Sequence, residues 1–521
     1  MLQLLLGGSG SGKTTLLYQR IRARAEKGEK SILLVPEQFT SSTEGRIYRE
    51  LGDALSGMVE SFSFTSLAEK ILSTEGGAAV QTLSDAGRAV LVRRALEELQ
   101  DNVHYYHRHR RSAAFCQMAA QTIDELKSAG LSGRQLAQLA GACGAESGKL
   151  SELALIFQGY ETLLARSGMD PSDRLELAGA RLEEALARHS LPEFLRDRAV
   201  FIDEFDTFNA PKKRLLGAML AALPSVTVAL CDDGAPLLPG DLSLFSGAKQ
   251  VAAQLRQLAR KNGAEVAVPQ LLRKDLRHRN APGLAAVAEL LETGSCTADA
   301  PAGEVRLFAA PSREEEARAA AGAIRRLMRQ GVRCEKIAVV CRDIAKYRAA
   351  VRYEFRMAEI PLYCDEPTTP EFSAPATAVR ALLEIARGAD LTENLTTLAK
   401  TGLCALSEEQ VCALENYAYT WAPTAAAWRE KFERSPKGFG EQELTEEDLR
   451  NRERAEHARA LLVGAVDAFR AKVRGVNAEA ISRAVYFCLK TLGAEEQQAA
   501  QVKAIRAGRG IPAAEEAARE W

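Results

Sequence analysis

The stretch LQLLLGGSGSGKTT at residues 2–15 decides the fold of this chain. It begins with a short apolar run, continues through a loop rich in glycine and serine, and passes into a segment with helical periodicity. Residues 7–14 match the pattern G-x-x-x-x-G-K-[ST] in the strand–loop–helix context that this motif requires. The sequence therefore predicts a phosphate-binding P-loop. The alternative is a glycine–serine turn followed by a chance Lys-Thr pair.

The P-loop assigns a role to each type of residue in it. Glycines allow consecutive backbone N–H groups to surround phosphate oxygens, and the next helix directs its positive end at them. Lys13 would contact the β- and γ-phosphates during catalysis, and the Thr14 hydroxyl would coordinate Mg²⁺. We therefore expect a nucleoside triphosphate to be bound by Gly7, Gly8, Ser9, Gly10, Ser11, Gly12, Lys13, Thr14 and Thr15.

A second candidate group follows the apolar run at 199–202 and begins with Asp203-Glu204. P-loop enzymes hold the Mg²⁺ shell with an acid on a neighbouring strand. Asp203 is therefore the predicted metal ligand, and Glu204 is the predicted catalytic base that orients or deprotonates water. Acidic pairs also follow apolar runs by chance, so both assignments depend on the P-loop.

Two more apolar runs, at 31–35 and 226–230, predict strands of a parallel, doubly wound sheet. The first of them ends in the polar segment 36–40 (PEQFT), where open α/β sheets bind their ligands. An ordinary capped β–α loop is the alternative.

Between the two halves of the predicted site, residues 76–195 have the apolar spacing of helices and predict an inserted helical domain. It contains HYYHRHRR at 104–111, in which aromatic residues alternate with cations. Such a segment can stack bases and contact phosphates, or it can be a solvated, charged helix end.

A second α/β unit is predicted from apolar runs at 305–308 and 337–340, which flank a helical segment. Arg342 follows the second run, from which it could reach a γ-phosphate, and we expect it to act in catalysis. The sequence from about residue 374 to residue 521 predicts nearly continuous helix. This helical region stops without a capping signal, as in a truncated chain. The predicted boundaries are 1–75 with 196–292 for the P-loop domain, 76–195 for its insertion, 293–303 for a linker, 304–373 for the second α/β domain and 374–521 for a truncated helical insertion.

Composition narrows the class of protein. The 68 Lys and Arg residues balance 69 Asp and Glu, so a nucleic-acid partner would require local basic grooves. The ten cysteines form no C-x-x-C pair and have no His at metal spacing, which favours free thiols in a reducing cytosol. No run is long and apolar enough for a membrane helix, and the N-terminus lacks a basic leader. We expect a soluble, cytoplasmic multidomain protein of the α/β class.

Several motifs together resemble superfamily-one helicases of the UvrD/Rep type, and more closely the AddB/RexB subunit of the bacterial AddAB (RexAB) helicase–nuclease. They are GGSGSGKT at 7–14, LLVPEQFT at 33–40, SFTSLAEKIL at 63–72, MDPSDRL at 169–175, FIDEFDTF at 201–208, EKIAVVCRDIAKY at 335–347, IPLYCDE at 360–366, LAKTGL at 398–403 and LENYAYTWAPTAAAW at 414–428. The resemblance covers essentially the whole chain. It implies two RecA-like parallel-sheet domains, each with a large helical insertion, the second half being truncated.

The resemblance also implies a function. It indicates an ATP-binding subunit that forms a heterodimer with an AddA-like helicase/nuclease and acts on single-stranded and double-stranded DNA ends in recombinational repair. The subunit would guide one strand and scan it for the Chi sequence. ATP and Mg²⁺ are the implied cofactors, and the exonuclease and its iron–sulfur cluster are expected only in the missing C-terminal region. The implied DNA contacts are Gln38, Thr40, Phe64, Ser66, Phe205 and Phe208.

This chain departs from the family pattern in two places. Ser66 and Glu69 stand where related Chi-reading subunits have Arg and Trp, which removes a phosphate or base contact and a stacking surface. After residues 226–230 there is no Gly-Asp-x-x-Gln, by which active helicases couple hydrolysis to strand movement. Two alternatives therefore remain: a self-sufficient UvrD-like DNA-dependent ATPase, and a non-hydrolysing DNA-binding scaffold with structural ATP.

Overall fold

The computed structural model divides the 521-residue chain into two compact units, Met1–Phe308 and Ala309–Trp521. The structure describes residues 1–142, 144, 147–295, 304–364, 372–389, 391–440, 443–510, 514–515 and 517–518. Most of the predicted linker at 293–303 lies outside these residues.

A six-stranded sheet forms the centre of the first unit. Its strands are β1 (Leu2–Gly7), β2 (Ser31–Leu34), β3 (Val59–Phe62), β4 (Ala199–Ile202), β5 (Ser225–Cys231) and β6 (Gln270–Leu272). They lie in the order β3-β2-β4-β5-β1-β6, and every neighbouring pair is parallel. The register pairs Leu4 with Val228 and Leu33 with Phe201. The predicted α/β class is confirmed, as are the strands predicted from the four apolar runs of this unit.

Helices cover the sheet and continue through the second unit. Those of the first unit are α1 (Lys13–Ala25), α2 (Thr40–Leu51), α3 (Asp53–Ser56), α4 (Phe64–Glu75), α5 (Asp85–Glu98), α6 (Ala113–Ser128), α7 (Gly133–Ala140), α8 (Ser147–Ser167), α9 (Pro171–Ala187), α10 (Ala210–Ala222), α11 (Ser246–Lys261) and α12 (Pro282–Thr293). Those of the second unit are α13 (Arg313–Arg329), α14 (Ile344–Met357), α15 (Ala374–Arg387), α16 (Leu391–Lys400), α17 (Glu408–Trp421), α18 (Glu446–Lys472), α19 (Ala478–Thr491) and α20 (Ala494–Arg509).

The sheet is buried on both faces, which explains why its central strands are continuous apolar runs rather than alternating ones. Leu4 of β1 points into the core beneath α4 and α10, whereas Leu5 points to the opposite side. On that side it packs with Leu17 and Ile21 of α1. The side chains of β1 therefore hold helices on both faces while its carboxyl end stays free to continue into the loop.

Helices α5 to α9 correspond to the predicted insertion, and α9 packs directly on α4 and α10 of the sheet domain. A buried ion cluster ties α6 to the start of α9. The ammonium of Lys127 lies 2.7 Å from Asp170 and 2.8 Å from Asp173. The hydroxyl of Tyr160 donates to the other oxygen of Asp170 at 2.6 Å, and Asp170 is 1% exposed. The MDPSD sequence at 169–173 is therefore a structural junction of the insertion.

In the basic, aromatic segment 104–111, one carboxylate holds the first three residues. Glu152 accepts hydrogen bonds from the backbone N–H groups of His104, Tyr105 and Tyr106 at 2.8–3.2 Å. Desolvation raises the pKa of Glu152, but these three donors outweigh it and leave the pKa below its ordinary value. The ring of Tyr106 stacks on Phe115 at 5.3 Å. The segment is thus an ordered loop on the insertion.

The second unit has two separate apolar cores. One lies between α13 and α14 around Ala321 and Phe355. The other is formed by α15 to α19, where Trp428 is fully buried and its indole N–H donates to the Thr392 hydroxyl at 2.8 Å. The helical character predicted for most of this region is therefore present.

The strands predicted at 305–308 and 337–340 are not formed, so these two predictions are wrong. Both segments lack a strand partner in the part of the chain that the structure describes. Leu307 is 101% exposed and Val340 is 91% exposed. An apolar run becomes a strand only when a neighbouring strand accepts and donates its backbone hydrogen bonds, and neither run has one here.

Across the described residues, no helix is both long enough and apolar enough to cross a membrane.

Candidate functional site

A cavity of about 510 Å³ opens at the carboxyl edge of the sheet, where β1, β4 and β5 end. This volume lies within the range of small-molecule sites. Its lining residues are Ser9, Gly10, Ser11, Gly12, Lys13, Thr14, Thr15, Arg46, Asp203, Glu204, Phe205, Asp206, Ala229, Cys231, Leu276 and Arg277. The structure therefore brings the glycine-rich loop together with the predicted acids, although about 190 residues separate them in sequence.

Glycine is required where the loop is tightest. A Cβ atom on Gly7 would lie 2.5 Å from the Ser11 hydroxyl oxygen and 2.6 Å from the carbonyl oxygen of Leu272 in β6. Gly12 has φ of 91°, in the left-handed region, and is the N-cap of α1. The two glycines let the chain leave β1 against β6 and turn directly into the helix.

In the described part of the chain, no side chain caps the N-terminus of α1. Gly12 offers no side chain to cap it, and the first turn contains no acidic residue. The hydroxyl oxygen of Ser11 is also buried without a hydrogen-bond partner among the described residues. Orphan N–H groups and the positive end of a helix form a natural anion site. This part of the cavity therefore fits a phosphate chain.

Lys13 is folded back onto the loop. Its ammonium group donates to the carbonyl oxygens of Gly7 and Gly8 at 2.8 Å each. Burial lowers the pKa of Lys13, whereas the Asp203 carboxylate acts in the opposite direction. The amine is thus half-buried at the base of the cavity, where an anion would stabilise its charged form.

Asp203 and Glu204 follow β4 and differ in exposure. Asp203 is 6% exposed, and its carboxylate accepts from the backbone N–H of Glu204 at 3.0 Å. Glu204 has a left-handed backbone with φ of 64°, which directs its side chain differently from that of a strand residue. Partial desolvation and the neighbouring Asp203 charge raise the pKa of Glu204. A buried ligand-type carboxylate and a more basic, accessible one therefore stand side by side.

Sequence analysis missed two cations in the cavity, Arg46 of α2 and Arg277. Arg277 follows β6, and the backbone N–H of the adjacent Leu276 donates to the carbonyl oxygen of Gly10 at 3.0 Å. The guanidinium of Arg277 donates to the Ser9 hydroxyl at 3.3 Å. The one available signal, a cation after the short apolar run QLL, was too brief to predict a strand.

The residues predicted to contact DNA lie along the same carboxyl edge, beyond β2, β3 and β4, and differ in accessibility. Gln38 is exposed and Thr40 is half-buried at the start of α2. The hydroxyl of Ser66 is already used in a capping box with Ser63 at the start of α4. The Thr40 hydroxyl likewise donates to the carbonyl oxygen of Glu37 at 3.0 Å, so Gln38 is the exposed one of these three polar residues.

The three predicted phenylalanines pack against each other in the core. Phe64, Phe205 and Phe208 are 2–9% exposed, and their ring centroids are 5.2–6.0 Å apart. The ammonium of Lys212 lies 5.6 Å from the Phe64 centroid and 5.4 Å from that of Phe205. Contact of these rings with DNA stays a prediction, and it would require them to leave this cluster.

Arg342, the third predicted catalytic residue, is exposed and belongs to the second unit, just before α14. All residues that line the cavity belong to the first unit. Its catalytic role stays a prediction.

The parallel sheet, the glycine-rich strand–loop–helix and the acids at the neighbouring strand end define an α/β protein of the open-sheet class with its candidate site at the carboxyl edge. Comparison with known families is more specific. The family model described as "ADDB, N-terminal" matches residues 4–288, more than half of the 521 residues, and the chain belongs to this family. The resemblance noted from its motifs is thereby confirmed.

Curated relatives agree with this assignment, and each is named as a subunit of an ATP-dependent helicase/deoxyribonuclease. The chain is similar to the relative from Desulforudis audaxviator, with 32% identity over 82% of this chain and 37% of that protein. It is similar to the relative from Symbiobacterium thermophilum, with 31% identity over 82% and 38%, and to that from Moorella thermoacetica, with 29% identity over 100% and 46%. The chain thus spans less than half the length of these relatives.

Proposed function

We propose that the first unit binds ATP with Mg²⁺ in the cavity at the carboxyl edge of its sheet. The observation that carries the proposal is the meeting of an uncapped helix N-terminus, a half-buried lysine and a buried carboxylate in one cavity. These are the groups that hold a nucleoside triphosphate and its metal in P-loop sites.

Different residues of the cavity would bind the phosphates, bind Mg²⁺ and activate water. The loop at 7–15 would hold the phosphates, and Lys13 would exchange its two bonds to loop carbonyls for phosphate oxygens. Thr14 and Asp203 would hold Mg²⁺, which neutralises phosphate charge when bound. Glu204 would accept a proton from water, since its raised pKa makes it a stronger base than an ordinary glutamate.

We further propose that the chain is the helicase-like part of an AddB-type subunit of a heterodimeric DNA helicase/exonuclease that processes double-strand breaks for recombinational repair. The names of its relatives, as subunits of an ATP-dependent helicase/deoxyribonuclease, support this. Its partners would be an AddA-like subunit and DNA ends. Gln38 and Thr40 would guide single-stranded DNA along the carboxyl edge, and Chi-type scanning would use the same surface.

The test is calorimetric titration of the chain with ATP and Mg²⁺, together with ATP turnover with and without single-stranded DNA. Lys13→Ala should weaken ATP binding about 10- to 100-fold, as expected for loss of a charged hydrogen-bond donor. The exposed Lys27, just beyond the end of α1, supplies the matched control Lys27→Ala, which should bind ATP normally. Equal affinities for all three proteins would refute the nucleotide site.

Measurements of ATP turnover distinguish an ATPase subunit, a self-sufficient translocase and a scaffold with structural ATP. A DNA-stimulated rate that Lys13→Ala abolishes supports an ATPase, and strand unwinding without a partner would favour a self-sufficient UvrD-like translocase. Lys13-dependent binding with background turnover, also in the presence of an AddA-like subunit, would favour a scaffold with structural ATP. The absence of Gly-Asp-x-x-Gln after β5 makes unaided translocation the least supported of these functions.

A further inference from the structure

Arg46 presents a cation to the cavity from a helix that lies outside the glycine-rich loop. It belongs to α2 and lines the cavity together with Lys13 and Glu204. Its guanidinium carbon lies 4.9 Å from the ring centroid of Tyr18 in α1, and Tyr18 is 5% exposed. A planar cation stacked on a buried ring is restricted in orientation, so its N–H groups are preorganised.

The guanidinium of Arg46 has no acceptor in the described part of the chain: neither an ion pair nor a hydrogen bond involves it. Three arginines of α1 are different. Arg20 bonds the side chains of Gln3 and Gln270, Arg22 bonds the carbonyl oxygen of Glu50, and Arg24 pairs with Glu29. A half-buried guanidinium that faces a cavity without an acceptor suits an anionic ligand.

The position of Arg46 in the cavity indicates which end of a bound phosphate chain it would contact. Arg46 lines the cavity together with Asp203 and Glu204 and lies close enough to the Glu204 carboxylate for the two charges to interact. Asp203 and Glu204 mark the end of the cavity where Mg²⁺ and attacking water would lie, which is the γ-phosphate end of a bound triphosphate. A nucleoside diphosphate would leave this end empty.

Helix α2 also leads to the candidate DNA edge. It begins at Thr40, directly after the turn Glu37–Phe39 that contains Gln38, and Arg46 lies about 9 Å further along its axis. Ile47 anchors the helix in the same apolar cluster as Tyr18. One short, packed helix therefore carries a cation at the nucleotide cavity and begins at the sheet edge, directly after the turn that contains Gln38.

We propose that Arg46 contacts the γ-phosphate and, through α2, couples the state of the nucleotide to the affinity of the Gln38–Thr40 edge for single-stranded DNA. This inference rests on the proposed nucleotide-binding function. Arg46 distinguishes triphosphate from diphosphate, and the shift of α2 that follows γ-phosphate contact reaches the edge as a displacement of Thr40.

The experiment measures dissociation constants of the whole chain for ATPγS and ADP with Mg²⁺, with Arg46→Gln, Arg46→Lys and the control Arg49→Gln, an exposed arginine of α2. Arg46→Gln should weaken ATPγS about tenfold or more and leave ADP within about twofold. Arg46→Lys should recover part of the loss, and Arg49→Gln should change neither constant. Equal losses for both nucleotides, or none for either, would overturn the γ-phosphate contact.

The coupling is tested by titrating fluorescent single-stranded DNA in the presence of each nucleotide. The unmodified chain should bind DNA with different affinities in saturating ATPγS and in saturating ADP. Arg46→Gln should abolish that difference, because the contact that distinguishes the two nucleotides is then missing. An unchanged difference in the variant would refute the role of Arg46. Lys13→Ala keeps the two proposals apart: if it abolishes nucleotide binding while Arg46→Gln has no effect, only the inference about Arg46 fails.

Discussion

Glu204 is the proposed catalytic base, and its surroundings are unusual. Its backbone lies in the left-handed region, and its carboxylate is next to the buried Asp203. Desolvation and this like charge both raise the pKa of Glu204. A left-handed backbone at a non-glycine residue costs about 1 kcal/mol or more, which the surrounding structure must offset.

The raised pKa predicts the pH dependence of turnover. A general base works only when deprotonated, so the ATPase rate should fall as pH decreases through the pKa of Glu204, at a higher pH than for an ordinary glutamate. Glu204→Gln should reduce turnover about 100-fold or more and leave the ATP dissociation constant nearly unchanged. Steady-state rates between pH 4.5 and 8, with ATP affinity at each pH, check this. An unaltered rate in Glu204→Gln would show that another group activates water.

Some residues of the cavity could be predicted from the sequence and others could not. Lys13, Thr14 and Asp203 were predictable because each belongs to a local pattern, a loop consensus or a strand followed by an acid. Arg46 and Arg277 were not, because they reach the cavity only through packing of α2 and of the segment after β6. Their own neighbours in sequence carry no such pattern.

At the scale of elements, burial decided which strands could be predicted. Strands β1, β2, β4 and β5 are apolar on both faces and stand out in the sequence. Strands β3 (VESF) and β6 (QLL) lie at the two edges of the sheet, are short, and were missed. The runs at 305–308 and 337–340 look like buried strands but lack a neighbour in the described residues, and strand pairing is not encoded in a single run.

The ion cluster of Lys127, Asp170 and Asp173 should stabilise the contact between α6 and α9. Lys127→Met should lower the free energy of unfolding by about 3–5 kcal/mol, because it leaves the charge of the buried Asp170 uncompensated. Tyr160→Phe removes only one hydrogen bond to Asp170 and should cost about 1–2 kcal/mol. Urea denaturation followed by circular dichroism measures both. A loss below about 1 kcal/mol for Lys127→Met would mean that water reaches Asp170 and that the cluster does not hold α6 to α9.

At the scale of the whole molecule, the two units carry different parts of the proposed function. The sheet, the cavity and the candidate DNA edge all belong to Met1–Phe308, whereas Arg342 belongs to Ala309–Trp521. Binding of ATP should therefore require only the first unit. The catalytic role of Arg342 stays a prediction made from the sequence.

Residues 1–308 produced alone should fold, since they form one compact unit in which α9 of the insertion packs into the core of the sheet. They should bind ATP with a dissociation constant within about threefold of the whole chain. Lys13→Ala in this piece should weaken binding by the same factor as in the whole chain, which controls for nonspecific association. Calorimetry on a sample with cooperative thermal unfolding makes the comparison. A folded piece that fails to bind ATP would show that ATP binding also requires residues of the second unit.

The role of Arg342 is tested separately. If the whole chain hydrolyses ATP, Arg342→Ala should lower its turnover to that of the first unit while ATP affinity stays constant. Unchanged turnover in that variant would remove Arg342 from the catalytic residues.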